Sequence, residues 1–231
     1  MREVLRRTVR ERWRYLLVGA LLIGFGALAV AAGGPAGTAF AGSSLMVVLF
    51  SSGIVSRDAR SGTLQMLLAR PIRRSDYLLG RYLGVLTLEA CFLAAAFLIA
   101  WATGALSHHA VPVRETLLSG AGYFLQSSLY AALILCFSTF VAGYGDVLTY
   151  VLLWVLMGAG IQIGRALELP RLRTVFEFLK NQILPEPGWA KILSAQKWLA
   201  PEAGAWALAV AGFLALAALI FSRRQFSYAS E

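Results

Sequence analysis

The chain has 231 residues, of which 58% are hydrophobic and only 14% charged, and its mean hydropathy is +0.68. Water-soluble domains carry charge on about 25% of their residues, so the composition excludes that class. Several apolar runs exceed the ~18 residues that mark a transmembrane helix, which makes a single polytopic helical membrane domain the expectation.

Residues 2–14 place Val4, Leu5, Val9 and Trp13 on one helical face and Arg6, Arg10 and Arg14 on the other. This pattern predicts an amphipathic helix over residues 1–15 lying in the membrane interface. The first apolar run, Leu16–Ala32, is not followed by a small-residue cleavage site and reads as a retained span. "GGPAG" (Gly33–Gly37) is a turn, because Gly-Gly-Pro breaks a helix. Further spans are predicted at Thr38–Val55, Tyr77–Thr103, Leu117–Val141, Val147–Gly164 and Ala203–Phe221. The third run is longer than a bilayer needs, so its first turns, with Arg81, are expected to project out of the lipid. Between the fifth and sixth spans, residues 165–202 carry Leu172, Val175, Phe176, Leu179 and Ile183 at helical spacing. Trp189, Ile192, Leu193 and Leu199 repeat the spacing after the turn "PEPG". The expectation is an amphipathic hairpin resting on the outer membrane surface.

Six spans put both termini on one side. That side holds fourteen of the 21 lysines and arginines, in the N-terminal segment, around residues 57–81 and at 223–224; the other holds seven, offset by five glutamates. By the positive-inside rule both termini are cytoplasmic and the chain sits in the cell (inner) membrane. The net charge of +9 is then mostly topology, and nucleic-acid binding is not expected.

Catalytic motifs are scarce. No G-x-x-x-x-G-K-[ST] phosphate loop occurs, so the chain is not expected to be an enzyme that hydrolyses ATP. His108–His109 lack a nearby third ligand, Cys91 and Cys136 have no C-x-x-C partner, and no metal site or disulfide is expected. "GYGD" (Gly143–Asp146) has the form of the G-x-G-D motif of intramembrane aspartyl proteases, a chemistry that needs two carboxylates sharing a proton. The partner Tyr-Asp pair inside another span is missing, and the same four residues make a tight turn. Glu89 is the one carboxylate deep in an apolar run. With Gln126, Ser127, Ser128 and the pair Ser43–Ser44 it either lines a polar translocation path or fixes helix packing through interhelical hydrogen bonds.

The segment 56–76 stands apart. After Asp58, "RSGTLQMLLARP" puts Leu64, Leu67 and Leu68 on one face, Pro71 stops the turn, and Arg57, Arg60, Arg70, Arg73 and Arg74 form a basic collar. Two helical turns are too short to be stable alone, so the ridge calls for a membrane surface or a protein groove. The topology rule explains the arginines but not the leucines.

"SRDARSGTLQMLLARPIRRSDYLLGRYLG" (Ser56–Gly84) resembles the signature of type-2 ABC exporter permeases. The matching positions are Asp58, then Gly62, Thr63 and Leu64, then Leu67 and Leu68, then Pro71 with Arg74, then Leu79, Gly80 and Arg81. "RDARS" departs mildly from the family, which commonly has Glu at the acidic position. The layout of interfacial helix, six spans and outer helices agrees along nearly the whole chain. The resemblance implies an all-α membrane permease whose segment 57–75 is a coupling helix seated in a separate cytoplasmic ATPase subunit. It also implies ATP and Mg on that partner, none on this chain, a second permease copy (homodimer or related chain), and export. Leu64, Leu67 and Leu68 would be the buried ridge, Asp58 and the arginines a polar rim, and Asp146 a smaller second contact. The alternatives weighed against it are a permease of the cytochrome c maturation type, a G-x-G-D protease, and a non-transporting ATPase-coupled scaffold.

Overall fold

The computed structural model describes residues 2–60, 73–107, 111–141, 145–194 and 201–223. All regular structure among them is helical: α1 (Arg2–Arg12), α2 (Leu16–Ala31), α3 (Ser43–Ser51), α4 (Ser56–Arg60), α5 (Arg74–Leu106), α6 (Val113–Phe140), α7 (Gly145–Ala166), α8 (Pro170–Ile183), α9 (Trp189–Ser194) and α10 (Pro201–Arg223). Short 3-10 turns at Trp13–Tyr15 and Ala36–Phe40 lead into α2 and α3. Six helical stretches are long and apolar enough to cross a membrane, at Glu3–Ala31, Gly37–Asp58, Arg74–Leu106, Val113–Phe140, Gly145–Ala166 and Pro201–Arg223. Each matches one predicted span, two of which run a single residue past its end.

α5 and α6 form the core. α2, α3 and α1 pack on α5, while α10, α9 and α3 pack on α6. The central layer buries Phe50, Leu88, Phe92, Leu129 and Leu133 almost completely. The outward faces of α2, α7 and α10 expose Leu21, Phe25, Leu152, Trp154 and Leu208, the pattern expected where lipid rather than water is the solvent.

At about 50 Å for its 33 residues, α5 exceeds a hydrocarbon layer of about 30 Å. Its first turns carry α1, which crosses it so closely that a Cβ at Gly84 would fall 2.6 Å from Thr8 Cβ. The inward stripe of α1 is Val4, Thr8 and Arg12, all buried, and Trp13 is half exposed. The apolar face predicted for α1 is thus rotated. It faces protein, and one of its arginines points into the molecule.

The loop between the fifth and sixth spans also differs from a hairpin lying flat on a surface. α8 folds back along α7, where Phe176 and Arg173 lie over Gly160 and Gly164. α9 is tucked against α6 with Trp189 over Gly122 and edge-on to Trp206, ring centroids 5.2 Å apart. Small residues on the spans admit these helices, and burial of Trp189, Ile192 and Leu193 holds α9 there.

Candidate functional site

The second span is broken. α3 ends at Ser51, Ser52 has φ −55° and ψ 125°, and Gly53 has φ 60°. These are the central angles of a type II turn, which needs a residue tolerant of positive φ at its third position. Helical hydrogen bonding stops at Ser52 N to Val48 O (2.9 Å) and resumes at Arg57 N to Gly53 O (3.0 Å). Backbone groups released inside a membrane protein must find partners, and here side chains from three other elements supply them. Arg12 Nη2, at the end of α1, donates to Ser52 O at 2.5 Å. Gly53 N donates to Asp146 Oδ2 at 2.7 Å. Val55 N and Ser56 N donate to Ser138 Oγ, near the end of α6, at 3.1 and 3.3 Å. Asp146 also caps its own helix, its Oδ1 accepting from Val147 N at 2.8 Å.

One turn further on, Asp58 is buried and pairs with the buried guanidinium of Arg81. Tyr77 Oη donates to Asp58 Oδ2 at 2.6 Å. Arg81 Nη1 donates to Thr8 Oγ1 and to Glu11 Oε2, both at 3.0 Å. Arg7 closes the cluster against Glu11 and lies 3.9 Å from Asp58. The Tyr77 ring stacks on Phe221, and Arg74 Nη1 donates to the carbonyls of Phe221 and Ser222 at 3.1 and 2.8 Å. Arg12 and Arg81 thus face Glu11, Asp58 and Asp146, and this pairing of opposite signs makes burial of Arg12, Arg81, Asp58 and Asp146 tolerable. Burial of Glu11 works against its ionised form, but Arg7 and Arg81 outweigh that and hold its carboxyl below the ordinary value.

A third polar group sits deeper. Glu89 Oε1 accepts from Ser43 Oγ at 2.6 Å and Ser127 Oγ at 3.1 Å, and the two hydroxyls are 2.8 Å apart. Glu89 is fully buried and its Oε2 has no hydrogen-bond partner.

The expected path residues divide. Ser127 joins Glu89 and Ser43, whereas Ser128 Oγ bonds to Leu125 O of its own helix. Gln126 donates to Pro185 O at 3.3 Å and lines a groove of about 430 Å³ with Ser44, Tyr123, Tyr130, Glu186 and Trp189. Two of the expected docking residues, Asp58 and Asp146, are buried, and a third, Arg74, is exposed but bonded to the last span. Asp58 is not at an open rim, because α5 carries Arg81 to its level. Asp146 is fully buried, and the groups facing it are the Gly53 and Val147 amides, Ser138 and Arg12. With no carboxylate among them, a protease dyad at Asp146 is not formed by the described residues. Arg74 caps the last span. Arg57 and Arg73 are exposed. Gly62, Thr63, Leu64, Leu67, Leu68, Arg70 and Pro71 lie outside the described residues, as do the side chain of Arg60 and the pair His108–His109.

Sequence reasoning assigned no role to Glu11, Arg12, Tyr77 and Ser138. The one available signal was Ser51-Ser52-Gly53 inside an apolar run, a marker of a possible break.

Fold and network together define a polytopic α-helical protein, with six helices long and apolar enough to cross a membrane and a cluster of paired charges at one end of the bundle. The chain belongs to the DUF2705 family, described as a protein of unknown function, whose model matches residues 38–163. That range spans the broken second span, the segment 61–72, Glu89 and Asp146. No curated protein matches the chain.

Proposed function

We propose that the chain is the permease subunit of an ATP-driven ABC transporter, working as an exporter from the inner membrane with both termini cytoplasmic. A separate ATPase binding ATP and Mg, and a second permease copy, complete the assembly. The observation that carries this reading is the clamp at both ends of the segment 57–75. The segment leaves α4 beside Asp58 and returns to α5 before Tyr77 and Arg81, and both of those side chains bond to Asp58. A short helix that transmits force needs such a rigid base. Leu64, Leu67 and Leu68 enter the partner's groove, with Arg57, Arg60, Arg70 and Arg73 around it, while Asp58 and Arg74 anchor the segment. Glu89 with Ser43 and Ser127 is the polar point of the transport path.

The test is whether the chain co-purifies with a phosphate-loop ATPase, beginning with any that a neighbouring gene encodes, followed by ATP turnover in liposomes. Leu67→Asp with Leu68→Asp is expected to weaken binding by about thirtyfold or more, as loss of ~2 kcal/mol at an interface anchor does. Unchanged complex and turnover in that variant would reject the docking role.

A further inference from the structure

The break in the second span has an arrangement that a passive kink does not require. The carbonyl held by Arg12 is that of Ser52, and the amide held by Asp146 is that of Gly53. These are the two ends of one peptide group. A guanidinium grips its oxygen and a carboxylate grips its hydrogen.

Type I and type II turns differ chiefly in ψ of the second residue, about −30° against +120°, and φ of the third, about −90° against +80°. Those two angles flank a single peptide plane, so rotating that plane through roughly 150–170° interconverts the turns. The type I angles at the second residue are those of a right-handed helix. At Ser52–Gly53 the second position is a helical turn, in which Gly53 N–H turns back toward Leu49 and Ser52 C=O turns toward Ser56 N–H. The Ser56 amide now reaches Ser138 at 3.3 Å, the longest of the bonds across the break. Only four amides, residues 53–56, lie between the last helical bond of α3 and the first of α4.

We propose that the Ser52–Gly53 peptide is a two-position switch, held in its present position by Arg12 and Asp146, whose rotation joins α3 and α4 into one continuous helix. Electrostatics selects the present position. Reversal would aim the Ser52 oxygen at the Asp146 carboxylate and the Gly53 hydrogen at the Arg12 guanidinium, exchanging two charge-assisted hydrogen bonds for two repulsions. Arg12 is incompletely engaged, since its Nε and Nη1 are buried without hydrogen-bond partners. Arg12 ends α1 and Asp146 begins α7, so displacing either helix from the second span releases the peptide. Glycine makes both positions accessible, because any L side chain at φ 60° is disfavoured. The switch is a property of this chain alone. Its test needs no ATPase, so its failure and failure of the docking role are separate results.

The test compares Gly53→Ala in three backgrounds, with thermal unfolding measured on purified full-length chain in detergent micelles. In the otherwise native chain Ala must adopt a disfavoured φ, and a fall in Tm of several degrees is expected. With Asp146→Ala, or with Arg12→Met, the peptide is free to take the helical position, where Ala is favoured over Gly. At least half of the fall is then expected to disappear. Retention of more than half of it in both backgrounds overturns the switch, and so does absence of a fall in the native background. Should those backgrounds fail to fold, Asp146→Asn on glycine-labelled protein gives a second reading. The Gly53 amide resonance, assigned by its loss in Gly53→Ala, is expected to move upfield, as a charge-assisted bond gives way to a neutral helical one, and to stay protected from exchange. An unchanged shift, or a Gly53 amide that loses its protection, overturns the proposal.

Discussion

Arg81 is a cation with no exposed surface, and its partners come from two earlier elements: Glu11 from α1 and Asp58 from α4. Removing one member of a buried pair strands the other, at a cost of about 3–5 kcal/mol, whereas replacing both by apolar groups is often neutral. Asp58→Leu and Arg81→Met are each expected to lower Tm sharply, and the double variant to regain most of the loss, as unfolding in micelles will report. Glu11 makes a milder, pH-dependent contribution. Its folded pKa is depressed, so its stabilisation is complete above the unfolded value and is lost as pH falls through the folded one. The Tm difference between native chain and Glu11→Gln is expected to be largest near neutrality and to vanish on acidification through the carboxylate range. Part of this was legible in the sequence, since Asp58, Arg81 and Glu89 stood out as charges in an apolar chain. Their pairing was not. Residues 11, 58 and 81 meet only because α1 lies across an α5 long enough to extend beyond the apolar layer.

At the scale of elements, apolar run length identified every span, because a membrane imposes length and hydropathy without reference to tertiary contacts. Features that depend on packing were less legible. The helical spacing in residues 165–202 falls on α8 and α9, but periodicity does not say whether an apolar face meets lipid or protein. The answer lies on the other helices, in Gly122, Gly160 and Gly164. A Cβ at Gly160 would fall 2.5 Å from the Phe176 ring, so α8 seats on α7 only over a bare backbone. Gly160→Leu is expected to unseat α8 at a cost of about 1–3 kcal/mol, visible as faster proteolysis around residues 170–183. Insensitivity to the substitution would show that α8 is not held by this contact.

For the whole molecule, one end of the bundle gathers α1, α4, the start of α5, the end of α6, the start of α7 and the end of α10 through the bonds of Arg12, Arg74, Arg81, Ser138 and Asp146. This is the end that arginine counting assigns to the cytoplasm. Single cysteines at Arg10 and Arg171, in a background lacking Cys91 and Cys136, test that assignment in intact cells with a membrane-impermeant maleimide. Labelling is expected at position 171 and not at position 10; the reverse pattern would invert the topology.

The separation between Gly53 and its carboxylate has a consequence for biosynthesis. Asp146 follows Gly53 by 93 positions, and a ribosome adding 5–20 residues per second takes roughly 5–19 s to cover that length. During this interval the second span has neither Asp146 nor Ser138 to receive its amides, and lipid tolerates no unpaired ones. The nascent segment is therefore expected to enter the bilayer as an unbroken helix and to acquire its break only when the fifth span arrives. Ribosome-stalled chains ending before residue 138 are expected to show helical hydrogen-exchange protection across residues 52–56. In this protein the late-synthesised spans would reshape an early one rather than merely dock beside it.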